Sequence, residues 1–282
     1  MRTVRVIAEA RAEIDRARSA GAGVGLVPTM GFLHAGHVSL MERAASEADF
    51  VVATIFVNPL QFGPAEDLAA YPRDLETDTA RCEGAGVDLL LVPGVEEMYP
   101  GPMRTAVTVA DITARFEGAS RPGHFAGVAT VVAKLFNIVG PCRAYFGEKD
   151  WQQLCVVRQM AADLSFAVEV VGCPTVREPD GLAMSSRNTY LGASDRAAAP
   201  VLHRALVAGA ESIRSGERSA RVVRDVMSEV LGSEPRAEVD YAEVVDAGTL
   251  ALVDPLAGDL RLLVAARIGP ARLIDNVGAV AD

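Results

Sequence analysis

At 282 residues, half of them hydrophobic and only 5% aromatic, the chain is long enough for one domain of ordinary size plus a smaller one, and too apolar to be disordered. A net charge of −10 leaves no broad basic surface to neutralise a nucleic-acid backbone, although small anions could still bind locally. Four cysteines without C-x-x-C spacing, no apolar run near ~18 residues, and a first segment (MRTVRVIAEARAEIDRARSAG) that alternates charge with apolar residues predict buried thiols, no secretory signal, no membrane span and a cytoplasmic protein.

In chain order, Val6 to Ala20 has helical spacing, and Gly21 and Gly23 end it before the apolar run Val24 to Val27, which reads as a strand. Further strand-length runs are Phe50 to Val57, Val87 to Val92, Ala144 to Phe146 and Ala167 to Val171. Between them lie helical stretches at His37 to Ala48, Leu75 to Glu83, Gly127 to Ile138 and Asp150 to Leu164. Such alternation predicts an α/β fold, a doubly wound parallel sheet whose ligands bind beyond the carboxyl ends of its strands. After about Val176 the texture changes to an Ala-rich helix from Ser194 to Ser215, another from Ser219 to Leu231, and strands at Ala237 to Val245 and Leu260 to Ala265. Residues 1–176 are therefore expected to form a Rossmann-like domain and 177–282 a smaller α+β domain, with Arg177 to Gly192 either a linker or an active-site loop.

Chemistry gathers in the loops after the predicted strands. PTMGFLHAGH, Pro28 to His37, leaves the first strand, turns on Gly31 and Gly36, and enters a helix at His37, a geometry that suits phosphate: helix N-terminal amides attract anions and imidazoles donate to phosphoryl oxygens. It contains neither G-x-G-x-x-G nor G-x-x-x-x-G-K-[ST], which argues against dinucleotide and P-loop binding. His34 and His37 have a spacing that could hold zinc, but His124 and His203 form no ligand cluster with them. FVNPLQFG, Phe56 to Gly63, offers the amides of Asn58 and Gln61 either to a substrate or to a turn. In RPGHFAGV, Arg121 precedes a helix start, where it could grip a carboxylate or a phosphate, or make a surface ion pair. GEKDWQQ supplies Lys149 as a compact cation at a helix start, where it opposes the dipole and so calls for a reason. REPDGLAMSSRN, Arg177 to Asn188, places Ser185, Ser186 and Arg187 together as phosphate-binding donors. Asp74, Glu76 and Asp78 form an acidic cluster that reads as a solvated helix face rather than a metal site.

The H-x-G-H pair after a first parallel strand resembles the signature of the nucleotidyl-transferase superfamily shared with class I aminoacyl-tRNA synthetases. The fuller string, with the other four in the same order, resembles the pantothenate synthetase (pantoate-beta-alanine ligase) family over roughly Val24 to Leu191. Trp151 departs from it, standing where a smaller aromatic is expected. The resemblance implies ATP and magnesium, with pantoate adenylated and then joined to beta-alanine. It implies ATP contacts from Met30, Gly31, Phe32, Leu33, His34, Ala35, Gly36 and His37, from Gly147, Glu148, Lys149 and Asp150, and from Val176, Met184, Ser185, Ser186 and Arg187. His37, His34 and Lys149 are the implied catalytic groups, and Gln61, Gln153, Asn58 and Arg121 the implied pantoate and beta-alanine contacts, with no metal ligand assigned. A homodimer is implied likewise, and the smaller C-terminal domain is expected to act as a lid that keeps water from the acyl adenylate. A nucleotidyl-transferase acting on a phosphorylated substrate would share the first string without needing FVNPLQFG or GEKDWQQ, and a non-catalytic nucleotide sensor would need no separate carboxylate site.

Overall fold

The computed structural model describes residues 1–63, 68–69 and 71–282. Six short strands, β1 (Arg2–Val4), β2 (Val24–Thr29), β3 (Phe50–Ile55), β4 (Leu89–Leu91), β5 (Cys142–Gly147) and β6 (Val168–Cys173), pair in the order β1-β4-β3-β2-β5-β6, every neighbour parallel. Their central members are apolar on both faces, as FVVATI of β3 illustrates, because helices cover both. Those helices are α1 (Ile7–Ser19), α2 (Ala35–Glu47), α3 (Leu75–Gly84), the single turns α4 (Val95–Met98) and α5 (Glu117–Ser120), α6 (His124–Val139) and α7 (Trp151–Asp163). From α2, Leu40, Met41 and Ala44 pack with Val27, Val51, Ala53 and Leu90 on one side of the sheet. Twelve of the 16 residues of α6 are buried, so this helix is apolar nearly all round and lies in the interior.

The strand order reverses between β2 and β5, and this switch point positions the site. β2 delivers the Pro28 to His37 string, and β5, its neighbour in the sheet, delivers Gly147 and Glu148.

By compactness the chain divides into Met1–Glu148 with Gln152–Pro174, and Lys149–Trp151 with Thr175–Asp282. The second unit holds α8 (Ala193–Ala198), α9 (Val201–Arg214) and α10 (Ala220–Gly232), then an antiparallel sheet β7 (Ala237–Asp246), β8 (Gly258–Ile268) and β9 (Ala271–Ala281), in that order. Leu202, Leu206, Val223 and Met227 meet Leu262, Val264, Ile268 and Leu273 in its core. The architecture is thus the expected α/β doubly wound parallel sheet, with a small α+β unit after it.

Three local expectations need correction. The single helix expected from Ser194 to Ser215 is two, because Pro200 has no N–H to continue the ladder and its ring obstructs the preceding turn. The helix expected at His37 begins at Ala35, so Gly36 lies within its first turn and, of the two glycines, Gly31 alone takes a positive φ (85°). β1 and β9 escaped the sequence reading, the first because three residues carry no period, the second because Asp275 and Asn276 interrupt its apolar alternation.

All four cysteines are free thiols, and burial pushes Cys82 and Cys142 up to about 12. Among the described residues no helix is long and apolar enough to cross a membrane.

Two measurements check the packing. A Cβ at Gly127 of α6 would sit 2.2 Å from the Leu60 carbonyl oxygen, so Gly127→Ala is expected to cost about 2 kcal/mol or more in a urea titration. In α9, burial first and the Arg177 charge second hold His203 below its ordinary 6.5, against a weaker pull from Asp275. The folded unit therefore keeps this ring neutral, while an unfolded chain takes up the proton. Its contribution is full above pH 6.5 and drains away on acidification below that value, and His203→Gln is expected to flatten that part of the stability profile.

Candidate active site

Past Thr29 the chain turns sharply. Gly31 and Phe32 both adopt positive φ (85° and 49°), an uncommon conformation for an aromatic residue. Asp78 of α3 holds the turn: its two carboxylate oxygens accept the backbone N–H groups of Phe32 and Leu33 at 2.7 Å each. Asp78 is 2% exposed, so it does not belong to a solvated face, and its carboxylate is answered by those amides. Arg81, one turn on, donates to the Leu33 carbonyl. A side chain at Gly31 would press on Asp78 Oδ2 and Ile55 Cγ2, both 3.0 Å from a Cβ there.

The turn feeds α2 through two histidines that cap it reciprocally. His34 Nδ1 accepts from Gly36 N (3.1 Å), and His37 Nδ1 accepts from His34 N (3.2 Å). The rings lie 4.0 Å apart between centroids. With Nδ1 spent as acceptor on each, the neutral rings carry their protons on Nε2, so a pair of N–H donors stands where α2 begins.

Beside this string, Asn58 orients Gln61. All four hydrogen-bonding positions of Asn58 are used within the protein: Nδ2 donates to Gln61 Oε1 and to the Gly127 carbonyl (3.1 Å each), while Oδ1 accepts from Leu60 N (3.3 Å) and Tyr99 Oη (2.7 Å). Asn58 therefore has no capacity left for a ligand and sets the amide of Gln61, whose Nε2 lies 2.9 Å from Met30 Sδ. The Gln61 carbonyl can only accept, so His124 donates to it from Nδ1 (2.9 Å) and takes a guanidinium N–H of Arg121 at Nε2 (3.1 Å). His124 thus fixes Arg121.

In the second unit, Lys149 is partly buried and its ammonium stands 3.6 Å from the Asp150 carboxylate. The Ser185 hydroxyl accepts from Arg187 N (3.3 Å), which opens the turn Ser186–Tyr190, and Met184 N donates to the Val176 carbonyl (3.0 Å). Arg177 starts this segment and binds Asp275 through two parallel bonds of 2.6 and 2.9 Å. Trp151 donates from Nε1 to the Ala247 carbonyl (2.9 Å) and carries the Arg261 guanidinium 3.6 Å above its ring, which is what the larger aromatic provides here. Among the described residues no cluster of three or more His, Cys, Asp or Glu side chains could hold a metal ion.

A sequence profile of the pantoate-beta-alanine ligases matches residues 2–278. The chain belongs to the pantoate-beta-alanine ligase family. It is 56% identical to the pantothenate synthetase of Thermus thermophilus over 98% of this chain and 99% of that one, and 52% identical to that of Moorella thermoacetica over 98% of each. The crystal structure from Thermus thermophilus superposes with a TM-score of 0.94 over 98% of this chain and 99% of that one. A pantoate-beta-alanine ligase from Francisella tularensis, complexed with beta-gamma ATP and beta-alanine, is 33% identical, with a TM-score of 0.81 over 98% of this chain and 97% of that one.

Within the first unit of this family member, the fold gathers Met30 to His37 with Asn58, Gln61 and Arg121 through the contacts above. Gln153 lies half-buried in the first turn of α7. Lys149, Asp150, Val176 and Met184 to Arg187 belong to the second unit. Sequence reading missed Asp78 as a support, and also Gln152, whose Nε2 holds the Ile112 and Arg115 carbonyls at 2.7 and 2.9 Å. It also missed a compositional signal: of 27 basic residues only Lys134 and Lys149 are lysines, so a lysine at 149 is itself unusual.

The capping geometry sets the tautomers. Nitrogen-15 spectra above the titration range of the imidazoles are expected to show His34 and His37 protonated on Nε2 and His124 on Nδ1; the opposite tautomer at His37 would contradict the cap.

Proposed function

We propose that this protein condenses pantoate with beta-alanine to pantothenate at the expense of ATP, through a pantoyl-adenylate, releasing AMP and pyrophosphate. One observation carries the reading: a chain with the family's pattern from residue 2 to 278 caps α2 with paired imidazoles beside a Gln61 amide whose orientation is locked.

A carboxylate is a poor electrophile in water, so amide formation requires activation. In the proposed first step the pantoate carboxylate attacks the α-phosphorus of ATP and pyrophosphate departs. The beta-alanine amine then attacks the acyl carbon, and AMP leaves with the electron pair of the broken acyl–oxygen bond. Little covalent work falls to the protein, whose contribution is positioning and charge stabilisation.

The Nε2–H groups of His34 and His37 and the first amides of α2 serve phosphate oxygens that gain charge. Lys149 serves the same oxygens as a point charge, and Ser185, Ser186 and Arg187 serve the departing pyrophosphate. Gly147, Glu148, Asp150, Val176 and Met184 complete the nucleotide contacts. Gln61 and Gln153 hold pantoate, Arg121 pairs with a substrate carboxylate, and Asn58 acts through Gln61. Magnesium comes in with the triphosphate and neutralises part of its charge. The C-terminal unit as a lid that keeps water from the acyl-adenylate, a homodimer, and a cytoplasmic location complete the proposal.

Pyrophosphate release from ATP is expected to depend on pantoate, and AMP and amide are expected to appear when beta-alanine follows. His37→Ala and Lys149→Ala are each expected to slow adenylation by about 100-fold or more without shifting the thermal midpoint. Pantoate-independent turnover, or full activity in both variants, would sink the assignment.

A further inference from the structure

The middle of β9 holds two polar residues, Asp275 and Asn276, exposed by only 4% and 3%. Buried polar groups in a strand are costly unless partnered, and apolar residues of similar volume would fill the space without that cost. The partners show where the polarity is spent. Asn276 Nδ2 donates to the Lys149 carbonyl (2.8 Å), its Oδ1 accepts from Arg261 Nε (2.6 Å), and its backbone N–H bonds Asp275 Oδ1 (2.7 Å). Arg177 grips the Asp275 carboxylate and also donates to the Asn276 carbonyl (3.2 Å). Successive strand side chains point to opposite faces, so adjacent residues can reach two different segments.

Both segments carry ATP-directed groups in the reading above. Asn276 holds the backbone of Lys149 itself, and Asp275 holds Arg177, the first residue of the stretch that leads to Ser185, Ser186 and Arg187. Arg261, which Asn276 orients, lies over the Trp151 ring, so the Lys149–Trp151 turn is held at both its ends.

We propose that Asn276, backed by Asp275, is a positioning residue for adenylation: it fixes the backbone from which the Lys149 ammonium reaches the triphosphate. Asn276 matters to the chemistry only if Lys149 acts as proposed above, and the test separates the two ideas.

Asn276→Asp is the informative substitution, because it keeps an oxygen for Arg261 while removing the N–H that the Lys149 carbonyl accepts. Pantoate-dependent exchange of labelled pyrophosphate into ATP is expected to lose about 10-fold or more in kcat, since small displacements of a charged group are costly, while KM for pantoate stays within about 2-fold. In a Lys149→Ala background the same substitution is expected to change exchange by less than about 2-fold, because residues acting through one another are not additive. Equal losses in both backgrounds would mark Asn276 as merely structural and overturn the proposal, as would no loss in either. Full exchange in Lys149→Ala alone would instead remove the role of Lys149 and the anchor with it. Where Asn276→Asp fails to fold, Asn276→Ser is read against the same two backgrounds with the same outcomes deciding.

Discussion

Two backbone N–H groups, those of Phe32 and Leu33, have nowhere in the parallel sheet to go once β2 ends, and the Asp78 carboxylate takes both. On that pair of charge-assisted bonds rests the conformation of the whole string after β2. An aromatic residue at φ 49° carries strain on the order of 1–3 kcal/mol, and it persists only where the surroundings over-determine it. Asp78, together with Gly31 packed against it, supplies that determination. The turn so held presents His34 at the position where it can cap α2 and His37 where it can cap back. An imidazole pair that would otherwise be mobile becomes a fixed pair of donors at a helix N-terminus.

Charge in this protein is organised locally. A chain of net charge −10 that handles a triphosphate cannot rely on its overall field, which repels polyanions. In the proposed mechanism attraction comes instead from oriented groups close at hand: helix amides, imidazole N–H groups, and few cations. Neighbouring acids are largely engaged elsewhere, Asp78 by amides and Asp275 by Arg177. The preference for arginine elsewhere fits the same division of labour, since arginine makes fixed, forked pairs such as that with Asp275, while lysine at 149 offers a single charge on a flexible stem.

Polarity placed inside the second unit has a comparable logic. Asp275, Asn276, Arg177 and Arg261 form one connected network with bonds of 2.6 to 3.2 Å, and half-satisfied versions of such networks are worse than an apolar core. The apolar residues of α9 and α10 packed on β8 and β9 form the core of this unit. The network adds definition to two segments that hydrophobic packing, being non-directional, cannot aim.

Much of the fold was legible along the chain because the signals are local: apolar runs of strand length alternate with helical spacing, and that alternation leads to a parallel sheet whatever the distant contacts. The turn from Pro28 to His37 was legible for the same reason, since a strand, a glycine turn and a helix start lie within ten consecutive residues. What stayed hidden depends on partners far away in sequence. Asp78 lies 46 positions from Phe32, and Asn276 lies 127 from Lys149, so no spacing rule connects them. Asn58 illustrates the difference most plainly: its residue type advertises a ligand contact, and only the meeting of Tyr99, Leu60, Gln61 and Gly127 around it uses all its bonds. Sequence by itself therefore determined most of the sheet and the family, and named the groups proposed for the chemistry. Tertiary structure alone decided which of those groups are held still and by what, because a hydrogen bond is directional and its second partner is chosen by folding in three dimensions.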